Sequence, residues 1–332
     1  MPTPLFYAVA GKILDVEGQR GAAREPTITL TCMKFYVAVT DDSWFNYLHA
    51  LSPLPDEVNF WTGIPVREEP GTPWLFKLHA PNNFIVGGGY FTYYTQMPLT
   101  TVWDAFGPLN GVDSLSTLQQ RIGQYRKEAI SLTTSIGCAV LSQPFFWERE
   151  RWLPVPTDWS RNIVSRKSYD SETSIGSQLW QGVTQRLPRP VSQLGESVPG
   201  GFGKPQIVRP RINQGAFRLM VTDAYHRSCA VSREKALPAL EAAHILPFSE
   251  APTHEVRNGL LLRADIHRLF DLGYVTVTPD YRFLVSKTIH DDFANGREYY
   301  ALHGNSIALP DRLASYPDPT LLEQHVSEKF RG

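Results

Sequence analysis

The sequence lacks the features that mark a secreted, zinc-stabilised or membrane protein. It contains only three cysteines, Cys32, Cys138 and Cys229, and no CxxC pair. Widely spaced cysteines in odd number are typical of reduced thiols, and the missing CxxC pairs argue against structural zinc. No apolar run approaches the ~20 residues of a membrane span, and the first residues lack the pattern of a secretory signal. The sequence therefore predicts a cytoplasmic protein with no membrane partner.

The sequence also lacks an excess of either charge. Its 32 lysines and arginines balance 33 acidic residues, for a formal net charge of -1. This balance excludes a uniformly basic nucleic-acid binder but leaves room for a local basic surface. The segment from Arg161 to Arg218 has nine basic and three acidic residues. Its two interpretations are a solvated linker and a strip that follows a phosphate backbone.

The chain is long enough for two domains, since 332 residues exceed the usual size of one. The first 160 residues are rich in aromatic side chains and in short apolar runs bounded by Gly, Pro and Asn, which predicts strands. A helix is predicted at "SLSTLQQRIGQYRKEA", with Ser114 as its cap and Leu115, Leu118, Ile122 and Tyr125 on its apolar face. The glycines 87–89 predict a bulge or a close backbone approach.

The segment "RLPRPVSQLGESVPGGFGKPQI" has no periodicity and predicts a linker. We therefore expect an α+β protein with a β-rich domain over 1–185, a linker over 186–207 and a second domain over 208–332.

Three polar residues of the second domain fall on three successive elements. His244 ends the short apolar run "LEAAHI", Asn258 follows in a loop, and His267 lies in "ADIHRLFD". In that helix Ile266, Leu269 and Phe270 have core spacing, which leaves His267 and Asp271 on the more open face. Strand, loop and helix each present one polar group, which is the layout of a ββα-metal nuclease site.

The strings "CAVS", "AAHILP", "NGLLL" and "HRLFD" carry a family resemblance. In this order and spacing they resemble the HNH endonucleases, in the group with AAHI at the first histidine. The resemblance covers residues 209 to about 290 and implies a catalytic set of His244, Asn258 and His267. In such a site His244 is the general base, because imidazole has the side-chain pKa nearest physiological pH. Asn258 matches the residue that orients the base and anchors the loop.

The resemblance also implies one divalent ion, Mg²⁺ or Mn²⁺, with Co²⁺ and Ni²⁺ as alternatives. His267 would bind it through neutral imidazole, so that the ion stabilises the charge that develops on the phosphate. Many members have Asp directly before the base histidine, where this chain has Ala243. Glu241 is the candidate second ligand, and Asp265 and Asp271 are alternatives. For phosphate contacts we expect four arginines: Arg209, Arg211, Arg257 and Arg263.

The first domain has a looser resemblance, carried by "PWLFKLHAPNNFIVGGGYFTYY", "WDAFG" and "SIGCAVLSQPFFW". These strings and the domain order resemble modification-dependent restriction enzymes, whose N-terminal domains are PUA-superfamily readers similar to EVE, YTH and SRA domains. The resemblance implies a PUA-like barrel that encloses a flipped base between aromatic faces and amides. The candidate pocket residues are Trp44, Trp61, Asn83, Tyr90 and Trp103. Aromatic residues at strand spacing are more often core, so a structural role is the alternative for each.

The combined expectation is a type IV-like restriction endonuclease for defence, which recognises modified DNA, most readily DNA with modified cytosine. Its partner is double-stranded DNA, and a homodimer would cut both strands. Two alternatives stay open at this stage. One is a sequence-specific HNH enzyme for unmodified DNA that reads base edges in the major groove. The other is a DNA-binding protein with a degenerate nuclease domain.

Overall fold

A computed structural model describes residues 33–187, 213–247 and 255–332. Most of the predicted linker 186–207 lies outside these ranges, as do Arg209 and Arg211. The elements in chain order are β1 (Lys34–Thr40), α1 (Asp42–His49), β2 (Glu57–Thr62), β3 (Pro73–Leu78), β4 (Phe84–Pro98), α2 (Leu99–Phe106), α3 (Leu115–Arg126), β5 (Ser135–Phe146), β6 (Leu153–Pro154), β7 (Arg166–Asp170), α4 (Ser174–Thr184), α5 (Gln214–Ala224), β8 (Leu240–His244), β9 (Gly259–Arg263), α6 (Ala264–Asp271), β10 (Val275–Val277), β11 (Phe283–Val285), α7 (Thr288–Phe293), α8 (Arg297–Tyr300) and α9 (Pro319–Glu328).

The predicted α+β class is confirmed, while the expected closed barrel is not found among the described residues. Seven strands form a sheet in the order β2-β5-β4-β3-β1-β7, with β6 paired to β4. Strands β1 and β3 are parallel, and β2–β5, β3–β4 and β1–β7 are antiparallel. Strands β2 and β7 stand at the two ends of this order, so the described sheet is open rather than closed on itself.

The glycines of β4 are explained by close backbone approach, as the sequence predicts. A Cβ at Gly87 would lie 2.2 Å from the carbonyl oxygen of Phe145, and one at Gly88 would lie 2.7 Å from that of Trp74. The register of β3 against β4 shifts between Phe76 and Lys77, which marks an irregularity beside these glycines. Side chains larger than hydrogen would push the neighbouring backbone away.

The predicted helix α3 is also present, with one difference on its apolar face. The hydroxyl of Ser114 accepts a hydrogen bond from the backbone N–H of Thr117, and Leu118 and Ile122 are buried. Tyr125, predicted on the same face, is 55% exposed and meets the ring of Trp61 edge-on. Amphipathic spacing gives the direction of a side chain but not how far the neighbouring surface extends.

By backbone contacts the chain divides into two compact units that are not continuous in sequence. The first takes in the described residues of Met1–Phe45, Glu68–Phe91 and Phe145–Arg209. Its core is formed by residues of β1, β3, β4, β7 and α4, among them Phe35, Leu75, Ile85 and Leu179. No helix of the described ranges has the length and apolarity to cross a bilayer.

The second unit takes in the described residues of Asn46–Arg67, Thr92–Pro144 and Pro210–Gly332. Two apolar clusters among its described residues share helix α5. Ala216 and Leu219 of this helix pack with residues of β4, α2, α3 and β5, among them Val102. Phe217 and Val221 pack with β8, β9 and α6. Helix α5 thus lies between the two clusters, with one face in each.

Candidate functional site

Strands β8 and β9 and helix α6 form a ββα unit, as the sequence predicts. The two strands are antiparallel, with His244 opposite Gly259 and Glu241 opposite Leu262. The leucines of "GLLLR" are all buried, and α6 follows this strand directly. Burial of Ile266 and Phe270 fixes one face of α6 against the strands. His267 is left on the more open side.

His244 ends β8 and lies against an aromatic ring. Its imidazole stacks on Phe217 of α5 with ring centroids 3.9 Å apart and an interplanar angle of 10°. Phe217 is 2% exposed, so this ring is itself held by the core. Stacking covers one face of the imidazole and leaves the ring edge, with its two nitrogens, as the part that can exchange protons.

Asn258 is bonded to the two residues that directly follow His244. Its side-chain Oδ1 accepts a hydrogen bond from the Leu246 N–H, and its Nδ2 donates to the Leu246 carbonyl, each over 3.0 Å. Its own carbonyl accepts from the N–H of Ile245 over 2.9 Å. Asn258 is 1% exposed, so these buried polar groups are satisfied inside the protein. The amide therefore ties the start of β9 to the residues directly after the base candidate.

His267 is flanked by two carboxylates. Its Nδ1 lies 2.6 Å from Oε2 of Glu241, and its Nε2 lies 3.4 Å from Oδ2 of Asp271, one helical turn later. The His267 side chain is 21% exposed, whereas those of Glu241 and Asp271 are 48% and 57% exposed. The structure thus places the predicted second donor, Glu241, in direct contact with the predicted metal ligand.

These donors suit a divalent cation in chemistry, although they do not form a complete cage. Neutral imidazole and carboxylate are ligands of Mn²⁺, Co²⁺ and Ni²⁺, and carboxylate oxygen is preferred by Mg²⁺. Within the described residues no group of three or more His, Cys, Asp or Glu side chains is placed to hold a metal ion. An ion bound at His267 would therefore take its remaining ligands from water and from DNA phosphate.

The predicted phosphate-binding arginines that the structure describes are already paired with acids. Nη2 of Arg257 lies 2.8 Å from Oδ2 of Asp318. Arg263 donates from Nε to Oδ1 of Asp265 over 2.6 Å and from Nη2 to Oδ2 over 2.7 Å. The Arg263 guanidinium holds the pKa of Asp265 below its usual range, despite the opposite effect of partial burial. Arg268, directly after His267 in α6, is exposed and forms no ion pair with the described residues. Phosphate would have to displace Asp318 or Asp265 at the paired sites.

A third histidine, His325 of α9, packs against Phe270 of α6. Its ring stacks on Phe270 with centroids 3.8 Å apart, and it is 1% exposed. Nε2 lies 3.2 Å from the Phe270 carbonyl and Nδ1 lies 2.9 Å from the hydroxyl of Thr276. A carbonyl only accepts, so Nε2 carries the proton and Nδ1 accepts from Thr276. Burial, with the nearby charge of Lys329, lowers the pKa of His325 from 6.5 to about 4.

This lowered pKa predicts a loss of stability in acid. Between pH 6.5 and about 4 the unfolded chain binds a proton at His325 that the folded chain does not. The free energy of unfolding therefore decreases as the pH is lowered through this window. The full loss is roughly 3 kcal/mol, from about 1.4 kcal/mol per unit. Urea unfolding of the wild type and His325→Gln at pH 7, 6, 5 and 4 measures it. Equal pH dependence in both proteins would contradict the assignment.

Three predicted pocket residues lie in the first compact unit, in different settings. Trp44 of α1 is 2% exposed and packs edge-on against Phe76, so its ring lies in the core. Asn83 is exposed, has a positive φ of 49°, and accepts a hydrogen bond from the Lys77 ammonium over 2.8 Å. Tyr90 is half-buried, and burial raises the pKa of its hydroxyl.

The other two predicted pocket residues lie in the second unit. Trp61 and Trp103 are half-buried and border the cluster that contains Val102 and Leu219. The indole N–H of Trp61 is buried and has no acceptor among the described residues. A buried donor without an acceptor costs free energy, so this N–H is suited to a ligand oxygen or a water.

Sequence reasoning missed the contacts that these residues make outside the ββα unit. Phe217 and Val221 have the four-residue spacing of one helix face, but spacing does not show that the ring of Phe217 meets His244. His325 lies in the C-terminal segment, where no motif marks it. Both histidines stack on phenylalanines that are distant in sequence, so only the folded structure brings these pairs together.

Comparison with known proteins gives a family match over part of the chain and weak likenesses to solved structures. Residues 229–278 match the family model described as HNH endonuclease, and this segment contains His244, Asn258 and His267. No curated protein matches the chain. The crystal structure of ASCH from Zymomonas mobilis is 11% identical, with a TM-score of 0.32, covering 46% of this chain and 94% of that one. The crystal structure of a serine-to-alanine variant of that protein is 12% identical, with a TM-score of 0.30, covering 45% of this chain and 94% of that one. Likenesses of this size carry no argument about function.

Proposed function

Because residues 229–278 carry an HNH endonuclease domain, we propose that this protein is a metal-dependent DNA endonuclease whose catalytic residues are His244, Asn258 and His267. The supporting observation is the geometry of the ββα unit. It puts His244 at the end of a strand, Asn258 in bonds to the residues after it, and His267 on the open face of the helix. HNH nucleases generally use a divalent ion.

In this proposal His244 removes a proton from the attacking water. The water oxygen bonds to phosphorus, the bond from phosphorus to the 3′ oxygen breaks, and the proton moves to the imidazole. Asn258 holds the backbone of Leu246, two residues after His244, so it is a positioning residue. The bound ion, Mg²⁺ or Mn²⁺, with Co²⁺ or Ni²⁺ as substitutes, would stabilise charge on the phosphate and the leaving oxygen. His267 and Glu241 are the proposed protein ligands.

We also propose that residues 1–185 read the DNA and that residues 208–332 cut it, as in modification-dependent restriction. Four of the predicted pocket residues retain partial exposure: Trp61, Asn83, Tyr90 and Trp103. Aromatic faces and an amide are the groups that hold a flipped base. Arg209 and Arg211 stay proposed backbone contacts, together with Arg257 and Arg263. Each HNH site cuts one strand, so a homodimer on DNA is the proposed form for a double-strand break.

The reading function is tested by binding, with the nuclease disabled. Full-length His244→Ala protein is titrated with three duplexes of one sequence that contain cytosine, 5-methylcytosine or 5-hydroxymethylcytosine. Flipping a base costs a few kcal/mol, which only contacts in the pocket offset. We therefore expect tighter binding to a modified duplex, and a loss of this preference when Trp61 or Tyr90 becomes Ala. Equal affinity for all three duplexes would favour the alternative, a restriction enzyme for unmodified sites.

A further inference from the structure

Helix α5 connects the base candidate to a strand in the N-terminal half of the chain. Phe217, on one face, stacks on His244 with centroids 3.9 Å apart. Ala216 and Leu219, on another face, are fully buried in the cluster that contains Val102 of α2. The helix therefore cannot shift against α2 without moving the ring that covers His244.

The N-terminus of α5 is capped by an acid from outside the helix. Asn213 is the N-cap residue, but its side chain makes no capping bond to the helix. Glu57 of β2 replaces it, because its Oε1 and Oε2 accept the backbone N–H groups of Gly215 and Ala216 over 2.7 and 3.2 Å. These N–H groups have no acceptor within the helix, and a negative charge at this end is favourable. Glu57 is 5% exposed, so its carboxylate is held in place by burial as well.

Close approach at both faces of α5 leaves little freedom. A Cβ on Gly215 would lie 2.4 Å from the ring of Phe106 and 2.9 Å from Glu57. A Cβ on Gly259, opposite His244 in the hairpin, would lie 2.5 Å from Val221 and 3.0 Å from Phe217. Glycine at these two positions lets the helix contact α2 and β9 directly.

The C-terminal end of α5 is tied down too. The Tyr93 hydroxyl donates to Asp223 over 3.0 Å, and Arg227 donates to the carbonyl of Gln96 over 2.6 Å. Both ends of the helix are therefore bonded to residues that precede it by more than a hundred positions in the chain. A rigid element of this kind can hold a catalytic group to within a fraction of an ångström.

We propose that Phe217 is the positioning residue for His244, and that Glu57 acts on catalysis through it, by fixing helix α5 from strand β2. The inference rests on the proposed role of His244 as general base. A flat ring stacked on one face limits the rotation of the imidazole more than a branched aliphatic side chain would, and so holds the His244 nitrogens in one orientation for the proposed reaction. Glu57 touches no reacting group, so its effect must pass through the position of the helix.

The test compares kcat and KM of full-length variants for the nicking of supercoiled plasmid. The assay temperature is one at which thermal unfolding curves show every variant to be folded. Phe217→Leu should lower kcat by roughly 10- to 100-fold and leave KM and DNA affinity close to those of the wild type. Phe283→Leu is the matched control, since Phe283 is 1% exposed in the same apolar cluster but belongs to β11. It should lose stability with little change in kcat. Equal kcat for the two variants would overturn the role of Phe217.

A double-mutant cycle tests Glu57. Glu57→Gln should lower kcat in the wild-type background, and lower it much less in the Phe217→Leu background, because both act through one helix. Losses that simply multiply, or no loss for Glu57→Gln, would overturn its role. His244→Ala is measured alongside. If this variant cleaves like the wild type, the proposed base fails; if it is inactive while Phe217→Leu matches Phe283→Leu, only the positioning fails.

Discussion

The His244→Ala variant should cleave DNA roughly 10² to 10⁴ times more slowly than the wild type, which is the usual contribution of a general base. His244 ends β8, its ring is covered on one face by Phe217, and Asn258 bonds to Leu246 two residues later. Loss of the imidazole removes the proton acceptor without disturbing the rest of the ββα unit. DNA affinity should therefore stay within about two-fold of the wild type, a difference of less than 1 kcal/mol.

The measurement is single-turnover cleavage of an end-labelled duplex, with binding followed by fluorescence anisotropy in a buffer that contains EDTA. His290→Ala is the control, since the His290 side chain is 72% exposed on α7 and belongs to no proposed site. It should cleave at the wild-type rate. The base assignment would be wrong if His244→Ala cleaved at the wild-type rate. It would also be wrong if the variant lost cleavage only in proportion to a loss of DNA affinity.

The His267→Ala variant should show the largest change in metal dependence. A site with few protein ligands loses most of its affinity with one of them, so we expect no cleavage in millimolar Mg²⁺ and partial recovery in high Mn²⁺. Glu241→Gln separates two roles of the adjacent carboxylate. An amide oxygen still accepts a hydrogen bond from His267 Nδ1, so near-wild-type metal affinity would indicate an orienting role, whereas a loss as large as that of His267→Ala would indicate direct ligation.

Metal affinity is read from the dependence of the cleavage rate on Mn²⁺ concentration. Asp271→Asn is measured beside it, because Oδ2 of Asp271 lies 3.4 Å from His267 Nε2. Cleavage by His267→Ala with an unchanged requirement for Mg²⁺ would place the ion elsewhere.

The secondary structure around the site could be predicted from the sequence because its signals are local. The run "LEAAHI" and the leucines of "GLLLR" indicate two strands, and the spacing of Ile266, Leu269 and Phe270 indicates helix α6. Local pattern is sufficient where an element is short, periodic and bounded by turn residues.

The remaining features depend on contacts between distant segments. The barrel expected for the N-terminal strands is an open order of strands among the described residues, since strand content does not specify which edges meet. Trp44 lies in the core. The sequence could not show this, because an aromatic residue has the same spacing in a core as in a pocket. Glu57 and Phe217 carry no motif, and only the fold brings Glu57 to the N-terminus of α5 and the ring of Phe217 to His244.

The proposed function is tested most directly by the rate at which the full-length wild type cuts two duplexes of one sequence, one with cytosine and one with 5-hydroxymethylcytosine, in Mn²⁺ and again in EDTA. A metal-dependent nuclease that recognises modified cytosine should cleave in Mn²⁺ only, at a rate at least 10-fold higher on the modified duplex, which corresponds to about 1.4 kcal/mol. Cleavage that persists in EDTA would contradict the metal-dependent mechanism. Equal rates on this pair, repeated with 5-methylcytosine in place of the hydroxymethyl base, would contradict the recognition of modified cytosine.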